Sequence, residues 1–319
     1  MRPHSKTSII FIAALSATAL VACSTPVAEG GNGLISVVAS TNVYGSIAEQ
    51  IGGEFVDVTS IISDPSQDPH SFEADARVQL ELSKADVVVK NGGGYDPFVD
   101  QLLGSLDAPE QVVLSVFDIS PLNPDDDEAG DEHAAETESD HDHGTFNEHL
   151  WYDFATVAEL ADELEHEFTR LDPENGAAYE SNANAFRDGL TSLNEQASAL
   201  RSVHAGMGVA ITEPVPLYLL EAVGLNNVTP DDFSEAIEEG SEVSAAVLHK
   251  TLDLIASGEA SVLVYNEQTV GPETEQLMAA AQDAGTPVVS VTELLPADSD
   301  YVGWMSGILD SLDLALQGA

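Results

Sequence analysis

Short runs of β-branched and aliphatic residues recur along this 319-residue chain, with helical patterns between them. Four such runs occupy residues 34–40, 56–62, 86–90 and 111–117. They are continuous rather than alternating, which is typical of strands buried on both faces of a parallel sheet. Parallel strands need long crossover connections, and the intervening helical patterns supply them. The first half of the chain is therefore expected to fold as an α/β unit.

The second half repeats this alternation of strands and helices. Strands are predicted at residues 208–212, 261–265 and 287–292. Helices are predicted between and after the first two strands, at residues 215–223, 245–256 and 273–284. The chain is thus expected to contain two α/β units in succession.

The longest periodic segment lies between the two halves and predicts a single long helix. Apolar residues recur there at helical spacing, at Tyr179, Phe186, Leu190, Leu193, Ala197 and Leu200. A helix from Pro173 to about Ser202 would be roughly 45 Å long, and proline is favoured in a first turn. We therefore expect an N-terminal lobe at residues 34–172, a linking helix at 173–204 and a C-terminal lobe at 205–319.

The N-terminus has the pattern of a bacterial lipoprotein signal. A basic start precedes the apolar stretch Ile9–Ala22, which is too short to span a bilayer and has the length of a signal-peptide core. It ends in the sequence LVAC, where Cys23 is the chain's only cysteine. This resembles a lipobox, so residues 1–22 are expected to be removed and Cys23 to carry the lipid anchor. Residues 23–33 then form a flexible tether. The alternative is an ordinary secretory signal that contains a cysteine.

The charge excludes some functions and marks one segment. The chain has 56 acidic and 9 basic residues, a formal net charge of −47, so it cannot present the basic face that nucleic acid requires. One cysteine excludes a thiolate zinc cluster. Ten acids and no Lys or Arg lie between Asp125 and Asp142, within a predicted mobile loop at residues 121–145. Three histidines in it, His133, His141 and His143, either bind metal weakly or are incidental to a solvated loop.

Four residues from four separate loops form a candidate metal site. His70 follows a predicted strand, His149 precedes a helix, and Glu213 and Glu293 directly follow predicted strands. Ligand sites in open α/β sheets lie beyond the carboxyl ends of the strands. Two imidazoles and two carboxylates suit a divalent transition metal. Their separations of 79, 64 and 80 residues follow no local ligand rule, so spacing alone is a weak signal.

The segments around these residues resemble a known family. The sequences QDPHSFEA, NEHLWYD, ITEPVPLYLLEAVGL and VVSVTELLP are similar to those of the metal-binding solute-binding lipoproteins of ABC importers, the ZnuA/TroA-like zinc and manganese family. The resemblance extends over about residues 34–315. It implies an α/β fold with two lobes, each a parallel sheet flanked by helices, joined by one long rigid helix. It also implies that metal binds in the cleft between the lobes.

The resemblance assigns a role to each candidate ligand. His70 and His149 match the two family histidines of the N-terminal lobe. Glu213 matches a position that is His in many zinc-binding members and Glu in many manganese-binding members. Glu293 falls where the family usually has Asp. The acidic, His-bearing loop resembles an insertion that is common in zinc-binding members.

The expected function is that of a binding protein rather than an enzyme. We expect an extracytoplasmic, lipid-anchored monomer that captures Zn²⁺, or next Mn²⁺, as transported ligand and delivers it to an ABC-type permease in the membrane. The His-bearing loop favours zinc, whereas Glu213 favours manganese or iron. One alternative is a two-His, two-carboxylate metallohydrolase, although the chain lacks H-E-x-x-H and a nucleophile constellation. The other alternative is a surface adhesin.

Overall fold

The computed structural model describes residues 33–106, 111–124 and 146–318. The predicted signal peptide, Cys23 and nearly all of the tether lie outside the described residues, as do the three histidines of the acidic loop. Residues Leu34–Ala319 form one compact unit that contains two parallel sheets. The expected fold class is confirmed.

The first sheet has four parallel strands in the order β2-β1-β3-β4. Its strands are β1 at Ile35–Thr41, β2 at Val56–Ile62, β3 at Val87–Lys90 and β4 at Val112–Ser115. The central strands β1 and β3 are almost wholly buried, as continuous apolar runs predict. Strand β2 lies at an edge, so it alternates between buried and exposed residues.

Among the described residues, five α-helices accompany this sheet. They are α1 at Asn42–Gly52, α2 at Ala76–Leu82, α3 at Pro97–Leu103, α4 at Val116–Ile119 and α5 at Phe154–Leu171. The carboxylate of Asp153 accepts a hydrogen bond from the Thr156 amide and caps α5. This cap fixes the position at which the chain turns from the loop of His149 into the helix.

Helix α6, at Gly176–His204, is the longest in the described part of the chain. It begins three residues after Pro173, because Asp172 holds a turn before it. The Asp172 carboxylate accepts hydrogen bonds from the Asn175 side chain, at 2.7 Å, and from the Tyr179 hydroxyl, at 2.9 Å. The apolar residues that predicted this helix are all buried on one face.

The second sheet has the order β6-β5-β7-β8, again with all strands parallel. Its strands are β5 at Gly208–Ile211, β6 at Asn226–Asn227, β7 at Val262–Asn266 and β8 at Val288–Val291. Five helices follow the strands: α7 at Leu217–Val223, α8 at Asp231–Glu238, α9 at Ala245–Ala256, α10 at Pro272–Ala284 and α11 at Tyr301–Gln317. The sequence patterns above did not predict β6, α8 or α11.

The two sheets share one hydrophobic core, which continues through α6 and α11. Hydrogen bonds also join the two halves directly. The side chain of Asn42 both donates to and accepts from the backbone of Leu295, and the Tyr152 hydroxyl donates to the Thr292 carbonyl at 2.8 Å. These contacts hold the carboxyl ends of both sheets at a common junction. No helix among the described residues has the length and apolar character needed to cross a membrane.

Candidate metal centre

His70 lies on the loop that leaves β2, and local hydrogen bonds fix that loop. The Asp68 carboxylate accepts hydrogen bonds from the His70 amide, at 2.9 Å, and from the Ser71 hydroxyl, at 2.8 Å. Nδ1 of His70 lies 3.4 Å from a carboxylate oxygen of Glu148, and 28% of the His70 side chain is exposed. Burial lowers the pKa of His70 below its ordinary value, so its imidazole is neutral near pH 7.

His149 is buried, and a neighbour fixes its ring. Its Nδ1 lies 2.7 Å from Oδ1 of Asn147, which can only accept, so Nδ1 carries the proton and Nε2 keeps a free lone pair. Two hydrogen bonds from the second half of the chain fix Asn147. Its backbone carbonyl accepts one from the Tyr218 hydroxyl at 2.7 Å, and its side-chain amide donates one to the Pro214 carbonyl at 3.2 Å. Burial lowers the pKa of His149 well below its ordinary value, so the ring is neutral near pH 7, the form in which an imidazole can bind a metal.

The two predicted histidines come together around Tyr95. The ring of Tyr95 lies 5.0 Å from that of His70 and 6.0 Å from that of His149, both edge to face. A third group, Glu238 of the second half, completes a cluster in which one ligand atom from each of His70, His149 and Glu238 lies within 4.8 Å of the others. Such a spacing allows one ion to contact all three atoms.

Glu213 and Glu293 meet at Asn266, at the carboxyl ends of β5, β8 and β7. The Asn266 side-chain amide donates to a carboxylate oxygen of Glu213 and, at 3.2 Å, to one of Glu293. The other oxygen of Glu293 accepts a hydrogen bond from the Tyr95 hydroxyl at 3.2 Å. Tyr95 contacts both histidines and Glu293, so it connects the two groups. Among the described residues, however, the cluster of possible metal ligands contains His70 and His149 with Glu238, and not Glu213 or Glu293.

The carboxylates at this junction are held at unusual pKa values. Burial raises the pKa of Glu148, Glu213 and Glu293 to about 7 and that of Glu238 to about 9. Repulsion from Glu213 adds to the shift of Glu293, and repulsion from Glu148, Glu213 and Glu293 adds to that of Glu238. In the part of the chain that the structure describes, no Lys or Arg forms an ion pair with these four groups. A divalent cation would supply the missing positive charge.

Sequence reasoning missed three residues of this junction. Asn266 ends β7, so the same strand-end rule that selected Glu213 and Glu293 would have found it. Tyr95 follows Gly92, Gly93 and Gly94, whose positive φ angles of 74°, 63° and 102° form the turn before it. Glu238 ends a helix rather than a strand, and no local pattern in the sequence marks it.

The remaining described histidines lie elsewhere. The side chains of His166 and His249 are 69% and 76% exposed on helices α5 and α9. His204 is the last residue of α6, where the helix dipole stabilises a positively charged side chain. Its Nε2 lies 3.4 Å from a carboxylate oxygen of Asp313. None of the three lies in the cluster of possible metal ligands that the described residues form.

Solved structures of substrate-binding proteins share this fold. FpvC from Pseudomonas aeruginosa, determined in complex with Mn²⁺, superimposes with a TM-score of 0.68 at 23% sequence identity, covering 89% of this chain and 99% of that chain. At this identity the likeness establishes the fold alone.

The family follows from the sequence comparison. The model of the ZnuA family, described as zinc-uptake complex component A, periplasmic, matches residues 37–315. The chain belongs to this family of metal ABC transporter substrate-binding lipoproteins. Members are binding proteins and not enzymes, which confirms the expectation that the chain is no metallohydrolase.

Two curated relatives have different metals in their names. The zinc-binding lipoprotein AdcA of Streptococcus pneumoniae is 23% identical, and the match covers 95% of this chain but 60% of AdcA. The manganese-binding lipoprotein MntA of Halalkalibacterium halodurans is 27% identical over 88% of this chain and 85% of MntA. These names therefore do not fix the metal that this chain binds.

Proposed function

We propose that this protein captures a divalent transition-metal ion at the junction of its two halves, with His70, His149, Glu213 and Glu293 as ligands. One observation carries the proposal. Nε2 of His149 is buried without a hydrogen-bond partner among the described residues, and it lies 3.2 Å from the carboxylate of Glu238, which no described Lys or Arg neutralises. Buried polar atoms without partners are rare and costly, and a bound cation satisfies both groups at once.

Zn²⁺ is the metal we favour, with Mn²⁺ next. The affinity order of divalent metals places zinc above manganese at a site of this kind, and imidazole suits zinc. The name of AdcA supports zinc and that of MntA supports manganese. The carboxylate share of the site raises the relative affinity for harder ions such as Mn²⁺.

The fold suggests how the metal is carried. We propose that residues 34–172 and 205–319 act as two lobes, that residues 173–204 link them, and that the protein delivers metal to an ABC-type permease while anchored through Cys23. The hydrogen bonds across the junction limit opening. Gln268 is an example: its side chain donates to the Pro65 carbonyl at 3.1 Å and accepts from the amides of Glu293 and Leu294. Metal exchange is therefore expected to involve small loop movements rather than wide opening.

Metal analysis tests this function directly. Protein purified without added metal is expected to contain, or to take up, one equivalent of a transition metal. Competitive titration of Zn²⁺ against Mn²⁺ then ranks the two ions. A protein that binds neither ion at stoichiometric level would contradict the proposal.

Deleting residues 125–143 is expected to leave high-affinity metal binding in place. The four predicted primary ligands all lie outside this segment, and its three histidines are expected to bind metal weakly at most. The measurement is calorimetric titration of the deletion variant beside the full chain. We expect at most the loss of additional weak sites, whereas a collapse of the tight site would place a primary ligand within the loop.

Without metal, the protein is expected to lose stability as the pH rises from about 6.5 to 9. In the folded chain Glu148, Glu213 and Glu293 have pKa values of about 7 and Glu238 of about 9. In the unfolded chain all four are already ionised in this range, so the folded state binds more protons and each rise in pH lowers the free energy of unfolding. The contribution of the three groups with a pKa of about 7 is complete soon above pH 7, and that of Glu238 continues to about pH 9. Histidines do not oppose this trend above pH 6.5, because they are largely neutral in both states.

Bound metal should reverse this pH dependence. Ionised carboxylates are the form that binds a cation, so affinity is expected to rise over the same pH range. Thermal unfolding with chelator and with saturating Mn²⁺ measures both effects. We expect the melting temperature of the metal-free protein to fall by roughly 5 °C or more from pH 6.5 to 9. A flat profile without metal would contradict the assigned carboxylate environment.

A further inference from the structure

We propose that Glu238 is a fifth ligand of the cation and that its carboxylate increases the affinity for Mn²⁺ more than the affinity for Zn²⁺. The proposal rests on the proposed function, since it concerns the same site. It adds a residue from helix α8 to a ligand set otherwise drawn from the loops around the two sheets. Glu238 would then contribute to the choice between Mn²⁺ and Zn²⁺, although neither the sequence pattern nor the family resemblance marks this residue.

The position of Glu238 suits a metal ligand. Its Oε1 lies 3.2 Å from Nε2 of His149, yet neither atom has a hydrogen-bond partner among the described residues. The proton of the His149 ring is on the other nitrogen, where Asn147 accepts it. An ion placed between these two atoms would bind both, and a ligand atom of His70 lies within 4.8 Å of each of them.

Helix α8 holds this carboxylate in place. Phe233 is fully buried and Ile237 nearly so, and both belong to the core packed against the second sheet. The chain turns sharply after the helix at Gly240, whose φ of 61° is a left-handed conformation that glycine adopts without strain. Glu238 is therefore presented from a packed element, and its side chain is 18% exposed. A rigid support of this kind gives a ligand a defined position.

The chemistry of a fifth ligand explains the expected preference. Zinc is satisfied by four ligands in a tetrahedral shell, which His70, His149, Glu213 and Glu293 supply without Glu238. Manganese favours oxygen ligands and a higher coordination number. An additional carboxylate therefore contributes more to Mn²⁺ binding than to Zn²⁺ binding.

The test replaces Glu238 with Gln, which removes the charge and keeps the size. Affinities for Mn²⁺ alone and Zn²⁺ alone are measured on the full chain, with Glu239→Gln as the matched control, since Glu239 is the exposed next residue. We expect Glu238→Gln to weaken Mn²⁺ binding by roughly tenfold or more and Zn²⁺ binding clearly less. We expect Glu239→Gln to change neither affinity.

The outcomes separate this inference from the function on which it rests. Unchanged affinities in Glu238→Gln, or equal losses for both metals, would overturn the role of Glu238 while the wild-type site stands. A wild-type chain that binds neither metal would overturn the proposed function itself. If Glu238→Gln does not fold, Glu238→Asp keeps the charge but withdraws the oxygen atoms, and a selective loss of Mn²⁺ affinity is again the expected result.

Discussion

Replacing both His70 and His149 with alanine is expected to abolish stoichiometric metal binding while the chain stays folded. Only these two predicted ligands supply nitrogen, and loss of even a supporting residue around a metal lowers affinity 10–100-fold. The double variant should therefore lose more than about 100-fold. His149 is buried, so its replacement leaves a small cavity and costs about 2 kcal/mol of unfolding free energy. Calorimetric titration with Zn²⁺ and circular dichroism measure the two effects.

A matched control distinguishes the loss of site histidines from the loss of exposed surface histidines. His166→Ala with His249→Ala removes two exposed imidazoles and should leave both affinity and melting temperature unchanged. If the His70 and His149 variant retained a full equivalent of tightly bound metal, the site assignment would be wrong. If the control lost metal instead, the binding site would lie on the helix surfaces.

Replacing Asn266 with Asp is expected to destabilise the metal-free protein strongly. The Asn266 amide donates to both Glu213 and Glu293 and is almost fully buried. An aspartate would turn the one shared donor into a third carboxylate. Loss of a buried charge's partner typically costs 3–5 kcal/mol, so we expect a fall of about 3 kcal/mol in the free energy of unfolding at pH 8.

The loss should be smaller at pH 6, where a proton can bridge the carboxylates, and smaller again with saturating metal. Asn227→Asp is the control, because it makes the same change at the end of β6, where Asn227 accepts a hydrogen bond from the Thr229 amide that Asp can also accept. Urea unfolding of both variants gives the comparison. Equal destabilisation of the two would mean that Asn266 does not hold the glutamates together.

Local sequence patterns predicted most of the fold for a simple physical reason. Strands of a parallel sheet are buried on both faces, so they stand out as continuous apolar runs, as β1 and β3 do. The two-residue strand β6 is too short to leave such a pattern. Helix α6 began later than Pro173 because side-chain hydrogen bonds to Asp172 formed a turn, which composition does not reveal.

The candidate site was partly predictable for a related reason. Glu213 and Glu293 could be found because the carboxyl ends of parallel strands converge at one edge. Glu238 could not, since its place depends on how α8 packs against the second sheet. The raised pKa values likewise depend on burial and on the mutual approach of Glu213, Glu238 and Glu293, which only the folded chain creates.

The central claim is that one metal ion binds at Nε2 of His149, at the junction of the two halves. Anomalous diffraction from crystals of the Zn²⁺-loaded protein, collected at the zinc edge, tests it most directly. We predict one strong peak about 2.0–2.1 Å from Nε2 of His149, with His70, Glu213 and Glu293 as further ligands. A strong peak elsewhere, with none beside His149, would contradict the account.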